Sequence, residues 1–431
     1  MKAKAATLLL KASLIAIIYS TFKAANPAVL ISISPLPVIK GVDLRGNPAS
    51  VSTINVGCSV TALADAIGAA NANPGPDTLE LTSGCTYTLT SGPYDLAMGP
   101  NGLPIITSNI TINGHGAVIA RSTADGMPSF RIFEVIEGGA LTLNQLSLAN
   151  GNVVNMMVMD ENYAGGGILN LAGTLTLDGC ILSNNVAGYD GGGIANISMG
   201  ETTAVLTLRH STFASNLAFG QGGGVFNNGT LTVDSSTFNT NNAQQLGGAL
   251  SNDGTAVVAN STLNMNFSAE VAGAVKNVGT LTFINSTLSG NIAREGVSGI
   301  ESIGVTILKN TIVANNAPGG NCELFAAGII TDGGGNLVWG DTGFPTCPGS
   351  VGDPKLADLA SNGGPTQTMA LQAGSAAMDA GDDAICAASP VNNLDQRGFS
   401  RPHGAHCDIG AYEAGAAGPP QKRVYLPVIR K

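Results

Sequence analysis

The chain has 431 residues, of which 58 are glycine, 11% are charged and 44% are hydrophobic. The hydrophobic fraction is large enough to build a core, so the composition excludes a low-complexity disordered protein. The net charge of −10, with only 19 lysines and arginines, excludes a nucleic-acid-binding protein, which needs a basic surface to displace counterions.

Residues 1–25 are predicted to be an export signal. Lys2 and Lys4 precede an apolar stretch that ends near Tyr19 and is shorter than the roughly 20 residues of a membrane span. The alternative is a membrane anchor. We expect a secreted or surface-displayed protein with no transmembrane span in the mature chain, and a linker over residues 26–57.

The positions of the cysteines indicate an oxidising compartment. Three local disulfides fit these positions, although spacing alone does not fix their connectivity. The seventh cysteine, Cys180, lies inside a repeat, where we expect a buried and unreactive thiol. The other six bracket three regions in chain order: Cys58 and Cys85, Cys322 and Cys347, Cys386 and Cys407.

A capped β-helix is predicted over residues 58–345, and its first element is a short amphipathic helix over about 60–71. The sequence Asn-Pro-Gly ends this helix. Because a stack of parallel strands leaves an open edge at its first coil, we expect the helix to cover the coil that begins at 77–81. Its apolar face consists of Val60, Leu63, Ile67 and Ala70.

The stretch NMMVMDENYAGGG at 155–167 interrupts the repeat period. Insertions in solenoids emerge as loops on one face, which is often the binding face. Tyrosines beside carboxylates are suited to a sugar ring or a cation. The alternative, which we favour, is an exposed loop with solvated acids. The candidate ligand-binding residues, which precede two successive glycine runs, are Asp160, Glu161, Tyr163, Tyr189 and Asp190.

Regular repeats extend over 164–317, with phrases such as TLTVDSSTFNTNNA from Thr230. One asparagine recurs at steps of 31, 25, 25, 25 and 24 residues, a period typical of a solenoid. Alternation of the Thr-Leu-Thr-Leu type predicts strands, and no 3.6-residue stripe competes. The recurring residues, predicted to form an internal ladder, are Asn185, Asn216, Asn241, Asn266, Asn291 and Asn315.

Two further columns follow from the same alignment. Asp178, Arg209 and Asp234 form an outward column of alternating charge. The predicted fold class is therefore all-β: a single-stranded, right-handed parallel β-helix with an N-terminal capping helix and a small C-terminal disulfide-stapled unit. The apolar column, which belongs inside, consists of Leu182, Phe213, Phe238, Leu263, Leu288 and Ile312.

The C-terminal region, 346–414, is rich in side chains that bind metals in other proteins. We favour a structural interpretation, in which Arg397 and Arg401 bond buried aspartates and carbonyl groups beside the last two cysteines. Residues 415–431 form a linker and tail, interpreted either as a disordered terminus or as a docking strand. The metal-ligating types are Asp379, Asp382, Asp383, Asp395, His403, His406 and Asp408.

Three regions of the chain resemble known families. CSVTALADAIGAANANPGPDT, from Cys58, resembles the CSLREAI-type cap of secreted bacterial β-helix proteins, and GGGVFNN with TFNTN resembles the repeat of polymorphic outer-membrane proteins. DPKLADLASNGGPTQTMALQAGSAAMDAGD, from Asp353, and DQRGFSRPHGAHCDIGAYE, from Asp395, resemble the choice-of-anchor Q domain. These resemblances imply a secreted or surface-displayed, adhesin-like protein of the pectin-lyase-like fold, without a general enzymatic activity.

The regular coils contain no obvious catalytic cluster. A calcium-dependent lyase needs grouped carboxylates and a base, and a hydrolase needs two carboxyl groups about 5–9.5 Å apart. We expect His115 and His210 to be surface residues rather than bases. The sequence predicts no catalytic residue, metal or cofactor, and a structural, adhesive or glycan-binding role at extracellular polysaccharide or cell-surface components.

The alternative function is a polysaccharide-active enzyme, either a uronate lyase, an epimerase or a glycoside hydrolase, for which calcium is a possible cofactor. The face formed by residues 155–190 would then carry its active site. The sequence leaves the oligomeric state open.

Overall fold

The structure, a computed structural model, describes residues 52–73, 75–94, 98–155, 161–340 and 347–416. The predicted export signal at 1–25 lies outside these residues. So do nearly all of the predicted linker, most of the 415–431 tail, and Asp160.

The strands form a parallel β-helix, in which each coil adds one strand to each face of the stack. Strand Thr230–Asp234 shows why the sequence folds in this way, because its leucine and valine are buried while the two threonines that alternate with them face outward. Leu231 lies in register with Leu206 in the previous coil and Ala256 in the next. The predicted fold class is confirmed.

Twenty of the described strands belong to one sheet that covers two faces of the stack. The described strands of this sheet pair in parallel, so equivalent residues of successive coils lie above one another at about 4.8 Å. These strands are Ser52–Val56, Asp77–Leu81, Thr86–Leu89, Asn109–Arg121, Ala140–Ala149, Thr174–Asp178, Ile181–Ser183, Val205–Arg209, Thr212–Ala214, Thr230–Asp234, Thr237–Asn239, Thr255–Ala259, Thr262–Asn264, Thr280–Ile284, Thr287–Ser289, Val305–Lys309, Ile312–Ala314, Ile329–Asp332, Leu337–Trp339 and Ser350–Val351.

The other strands form two more parallel sheets and one hairpin. The six-stranded sheet contains Asn152–Val153, Val186–Ala187, Leu217–Ala218, Asn242–Ala243, Phe267–Ser268 and Ile292–Ala293. The eight-stranded sheet contains Phe133–Val135, Ile168–Leu171, Ile194–Ile197, Val225–Asn227, Leu250–Asn252, Val275–Asn277, Ile300–Ser302 and Cys322–Leu324. The hairpin pairs Leu356–Ala360 with Thr368–Leu371 in antiparallel fashion.

Helix α1, Val60–Ala72, covers the first coils, and the predicted capping helix is thereby confirmed. Ser59 caps it, because the Ser59 hydroxyl oxygen accepts a hydrogen bond from the Ala62 amide at 3.1 Å. A disulfide between Cys58 and Cys85 ties the start of α1 to the coil beneath it. The buried face of α1 consists of Leu63, Ala66, Ile67 and Ala70.

The stack is longer than the predicted bounds of 58–345. Strand Ser52–Val56 pairs with Asp77–Leu81, so the first coil begins inside the region predicted as a linker. At the other end, Ser350–Val351 pairs with Leu337–Trp339. The sequence STINV carries its own alternation, with Val56 buried, and this is why it joins the stack.

Asparagine side chains form a ladder inside one corner. Each side-chain amide donates to the amide oxygen of the equivalent asparagine in the next coil, at 2.9–3.0 Å. Each amide also donates to a backbone carbonyl oxygen, so its buried hydrogens are satisfied. The members are Asn185, Asn216, Asn241, Asn266, Asn291 and Asn316.

The last member of the ladder corrects the predicted Asn315, which is exposed. Thr280 pairs with Val305, so the last repeat keeps the period of 25 residues and the predicted step of 24 is one residue short. The same one-residue error affects the predicted apolar column, because Leu288 pairs with Val313 and not with the predicted Ile312. Because side chains of a strand alternate between faces, a shift of one residue exchanges an inward position for an outward one.

Two more polar ladders, not foreseen from the sequence, occupy other corners. A second asparagine series is linked by amide-to-amide hydrogen bonds of 2.6–2.8 Å: Asn170, Asn196, Asn227, Asn252 and Asn277. A serine series accepts hydrogen bonds from backbone amides of the preceding coil at 3.1–3.3 Å: Ser211, Ser236, Ser261 and Ser286.

Cys180 is equivalent to the serines of that series, and its thiol is buried. Burial raises the pKa of this thiol to about 12, so at neutral pH the group is protonated and a poor nucleophile.

Glycines permit the close approach of successive coils at one corner. Gly191 adopts a positive φ of 71°. A Cβ atom at Gly192 would lie 2.4 Å from the carbonyl oxygen of Gly223 in the next coil, which no side chain tolerates.

The C-terminal segment, 353–416, folds back along the stack. The Arg397 guanidinium donates to the Asp395 carboxylate at 2.6 and 2.8 Å and lies between the rings of Phe399 and Tyr412. Arg401 donates to backbone carbonyl oxygens. A short helix, α2, spans Asp383–Ala387. The remaining disulfides join Cys386 to Cys407 and Cys322 to Cys347, so the three bonds are local, and the structure gives the connectivity that the sequence left open.

Asn316→Ala is expected to lower the free energy of unfolding by about 2–3 kcal/mol, because it leaves buried hydrogen-bonding groups of Asn291 and Leu288 without a partner. The matched control is Asn315→Gly, which changes an exposed neighbour with a positive φ of 56° and should change stability by less than about 0.5 kcal/mol. Urea unfolding measures both. Equal losses would show that the corrected register is wrong.

Candidate functional site

An open groove runs along the outer surface of the stack, at the corner where the first long strand of each coil ends. Its volume is about 480 Å³, and it is lined by residues from four successive coils and by Pro365 of the C-terminal segment. We call it the corner groove. Its lining residues are Asn113, Gly114, His115, Asn144, Gln145, Asp178, Gly179, His210 and Pro365.

One residue of each coil adopts the left-handed conformation at this corner. The φ angles are 50° at His115, 50° at Gln145, 64° at Gly179 and 47° at His210. These residues stack because the strands before them are in register, as shown by the pairing of Asn144 with Asp178. Gly179 carries no side chain, so the space between Gln145 and His210 stays open.

A connected row of polar groups forms the first half of the groove. The Glu80 carboxylate accepts a hydrogen bond from the Asn113 amide at 2.7 Å, and Asn113 accepts one from the Asn144 amide at 2.9 Å. The second carboxylate oxygen of Glu80 lies 2.7 Å from Nε2 of His115. The hydrogen bond from His115 lowers the pKa of the Glu80 carboxyl group.

A second imidazole–carboxylate pair occupies the other half. Nδ1 of His210 lies 2.8 Å from Oδ1 of Asp178. This hydrogen bond raises the pKa of His210 and lowers the pKa of Asp178, because each charged form is stabilised by the other. Arg209 lies in register between Asp178 and Asp234, as the charge alternation indicates, but the close partner of Asp178 is His210.

The two ends of the groove differ. Next to His210 in the column comes Ser235, which is only 6% exposed because the C-terminal segment covers it. The Thr366 hydroxyl donates to the Ser235 carbonyl oxygen at 2.9 Å. At the other end, Ser83 and Gly84 beside His115 are exposed. The groove is therefore closed at the Pro365 end and open at the His115 end.

The predicted ligand-binding set is only partly brought together. Tyr163 and Tyr189 lie on adjacent coils, with the Tyr189 amide donating to the Tyr163 carbonyl oxygen at 3.1 Å. Asp190 is buried, and its carboxylate accepts a hydrogen bond from the backbone N–H of Gln221 at 2.7 Å. This contact links Asp190 to the next coil. Glu161 begins a short 3₁₀ helix, Glu161–Tyr163, and Asp160 lies outside the described residues.

A buried arginine that the sequence analysis did not single out anchors this neighbourhood. The Arg131 guanidinium donates to the carbonyl oxygens of Met98 at 2.7 Å and Asn162 at 2.5 Å, and to the Asn101 side chain at 3.1 Å. Glu134 supplies the compensating charge at 3.4 Å. Arg131 thus holds two loops together, and no periodic signal marks it.

His115 and His210, expected from the sequence to be surface residues rather than bases, both line the corner groove. The sequence contained a signal for this placement. His210 comes directly after Arg209, which pairs with Asp178 in the outward column, and His115 comes two residues after Asn113, which belongs to the same column. Pro365 carried no such signal.

Among the described residues, no group of three or more histidine, cysteine, aspartate or glutamate side chains is arranged to hold a metal ion. Within the same ranges, no helix has the length and apolar character needed to cross a membrane.

Comparisons with known proteins do not assign the chain to a family. No protein-family model and no curated protein matches the chain. Among solved structures, the complex of XylC with xylose is similar at 11% sequence identity and a TM-score of 0.44. The match covers 78% of this chain and 65% of the XylC chain. Similarity at this level carries no functional argument.

Asp178→Asn should lower the pKa of His210 toward the ordinary value of about 6.5, because the variant removes the carboxylate that stabilises the imidazolium. Titration of the histidine Cε1–Hε1 NMR signals measures the change. Asp125→Asn, at an exposed aspartate, is the control. An unchanged His210 titration in Asp178→Asn would refute the pairing.

Proposed function

We propose that the protein is an exported β-helix that binds carbohydrate in the corner groove. The observation that carries the proposal is the column of carboxylate, imidazole and amide groups from successive coils along an open groove. Carbohydrate hydroxyl groups donate and accept hydrogen bonds, so they match a surface on which both kinds of group alternate. The volume of about 480 Å³ is in the usual range for ligand sites.

The repeat of the coils favours a linear ligand. Equivalent groups, such as those of Asn113, Asn144 and Asp178, recur at the coil spacing of about 4.8 Å along the groove. A polysaccharide is itself a linear array of similar hydroxyl groups. The groove is therefore better suited to a short stretch of such a chain than to a compact metabolite.

The charge of the site favours a neutral polysaccharide over an acidic one. Asp178 presents a carboxylate at the groove, the Glu80 carboxylate is hydrogen-bonded to the lining residue His115, and Asp234 follows Asp178 and Arg209 in the outward column. Arg209 is the fixed positive charge within that column. Uronate carboxylates would be repelled by these groups, whereas hydroxyl groups accept hydrogen bonds from the imidazoles and donate to the carboxylates.

Three disulfides support an extracellular location, since such bonds persist in oxidising compartments. Together with the predicted export signal and the choice-of-anchor resemblance, they favour secretion or display at the cell surface. There, carbohydrate binding would give the protein an adhesive or matrix-building role.

One observation favours a second candidate, cleavage of the bound polysaccharide. His210 with its carboxylate partner Asp178 is an arrangement suited to general acid–base chemistry, and it lies in the groove.

Gly179→Asn tests the binding site by filling the groove. Asparagine occupies the same column at Asn260, Asn285 and Asn310 with φ near 45°, so the backbone accepts the change. A Cβ atom at Gly179 meets its nearest neighbour at an unstrained 3.5 Å. We expect the wild-type protein to bind neutral polysaccharides on a glycan array and the variant to bind them at least about tenfold more weakly.

The matched control is Gly200→Asn, at an exposed glycine with φ of 57° and open space around its Cβ position. This variant should bind like the wild type. Undiminished binding by Gly179→Asn would remove the groove as the site, and failure of the folded wild-type protein to bind any glycan would refute the function.

The same polysaccharides also decide between binding and cleavage. If the protein only binds, incubation releases no new reducing ends and no unsaturated ends, with or without calcium. Product release that disappears in His210→Gln would establish the second candidate instead.

A further inference from the structure

We propose that the corner groove recognises the end of a glycan chain rather than its interior. The inference rests on the proposed carbohydrate-binding function and adds the part of the ligand that is recognised. It follows from the C-terminal segment, which closes one end of the groove.

The column that forms the groove changes abruptly from exposed to buried. As whole residues, His115 is exposed and His210 is half-buried. The next residues in the same column, Ser235 and Asn260, are 6% and 2% exposed. A ligand lying along the column therefore meets a barrier directly after His210.

The barrier is built into the fold by buried polar contacts. The Thr237 hydroxyl donates to the Gln367 carbonyl oxygen at 2.7 Å. The Gln396 side chain donates to the Ser236 carbonyl oxygen at 3.2 Å and accepts from the Thr262 hydroxyl at 2.6 Å. Because Gln396 joins several coils and is fully buried, displacing the segment would leave its amide and these hydroxyl groups unsatisfied.

The loop that carries Pro365 is held from behind. The Arg397 guanidinium donates to the Asn362 carbonyl oxygen at 3.3 Å, and a Cβ atom at Gly364 would lie 2.6 Å from Cα of Arg397. Arg397 is itself buried and paired with Asp395. Pro365 is thus a fixed wall of the groove and not a loop that yields to a ligand.

The opposite end offers an exit. Ser83 and Gly84, which contact the His115 carbonyl oxygen, are exposed. A bound chain can therefore continue past His115 into solvent but cannot continue past Pro365. The terminal sugar would lie against Pro365 and the His210–Asp178 pair, with the following sugars over Gly179 and Gln145.

Binding stoichiometry tests this geometry. The probes are short and long fractions of linear β-1,4-xylan, β-1,4-mannan and α-1,4-glucan, titrated into the full chain by calorimetry and examined by analytical ultracentrifugation. End recognition predicts one protein molecule per chain for every length of the fraction that binds. Chains blocked by bulky groups at both ends should bind about tenfold more weakly or worse.

The experiment distinguishes failure of end recognition from failure of carbohydrate binding. If the number of bound protein molecules rises in proportion to chain length, the interior of the chain is recognised and this inference is overturned, while carbohydrate binding stands. If no fraction binds to the folded protein, both the inference and the proposed function are refuted. Gly179→Asn, measured in parallel, shows whether the observed binding uses the corner groove.

Discussion

The structure depends on hydrogen bonding between equivalent positions of successive coils. A buried asparagine such as Asn241 is satisfied only because Asn216 and Asn266 lie directly before and after it in the stack. An unsatisfied buried amide costs about 1–3 kcal/mol, so each coil must place the same residue type at the same corner. This requirement explains the repeated Asn and Ser of the sequence, whereas the repeated Gly permits the close approach of successive coils.

Because stacked positions are constrained in this way, a column whose residue type differs between coils shows where the stack does not require a particular side chain. At the left-handed corner, the covered coils carry Ser235, Asn260 and Asn285, which bury small polar side chains beneath the C-terminal segment. The uncovered coils carry histidine, glutamine or glycine at that position, where the stack needs no particular side chain. The corner groove is therefore the part of this column in which the side chains do not pack against the C-terminal segment. The Pro365 loop marks the end of the groove.

Local patterns in the sequence predicted the strands, the capping helix and the disulfide-stapled unit, since alternation and cysteine order are properties of short segments. The error at Asn315 arose because two asparagines are adjacent there and either one fits an asparagine column; only strand pairing separates them. The second ladder was missed because residues such as Asn227 precede turns, where asparagine already has a local explanation.

Aligning the coils could have placed His115 and His210 in one column, but the complete groove was beyond sequence reasoning for a different reason. Its carboxylates and imidazoles come from separate coils, and its closed end comes from Pro365, which reaches His210 only through the return of the C-terminal segment. Export through residues 1–25 and display at the cell surface remain predictions from the sequence.

A crystal structure of the protein with a bound neutral oligosaccharide tests the account most directly. The account predicts sugar density in the corner groove, with one chain end against Pro365 and contacts to His210 and Asp178. Density that instead lies at Tyr163 and Tyr189, or that crosses the groove without an end at Pro365, would contradict it.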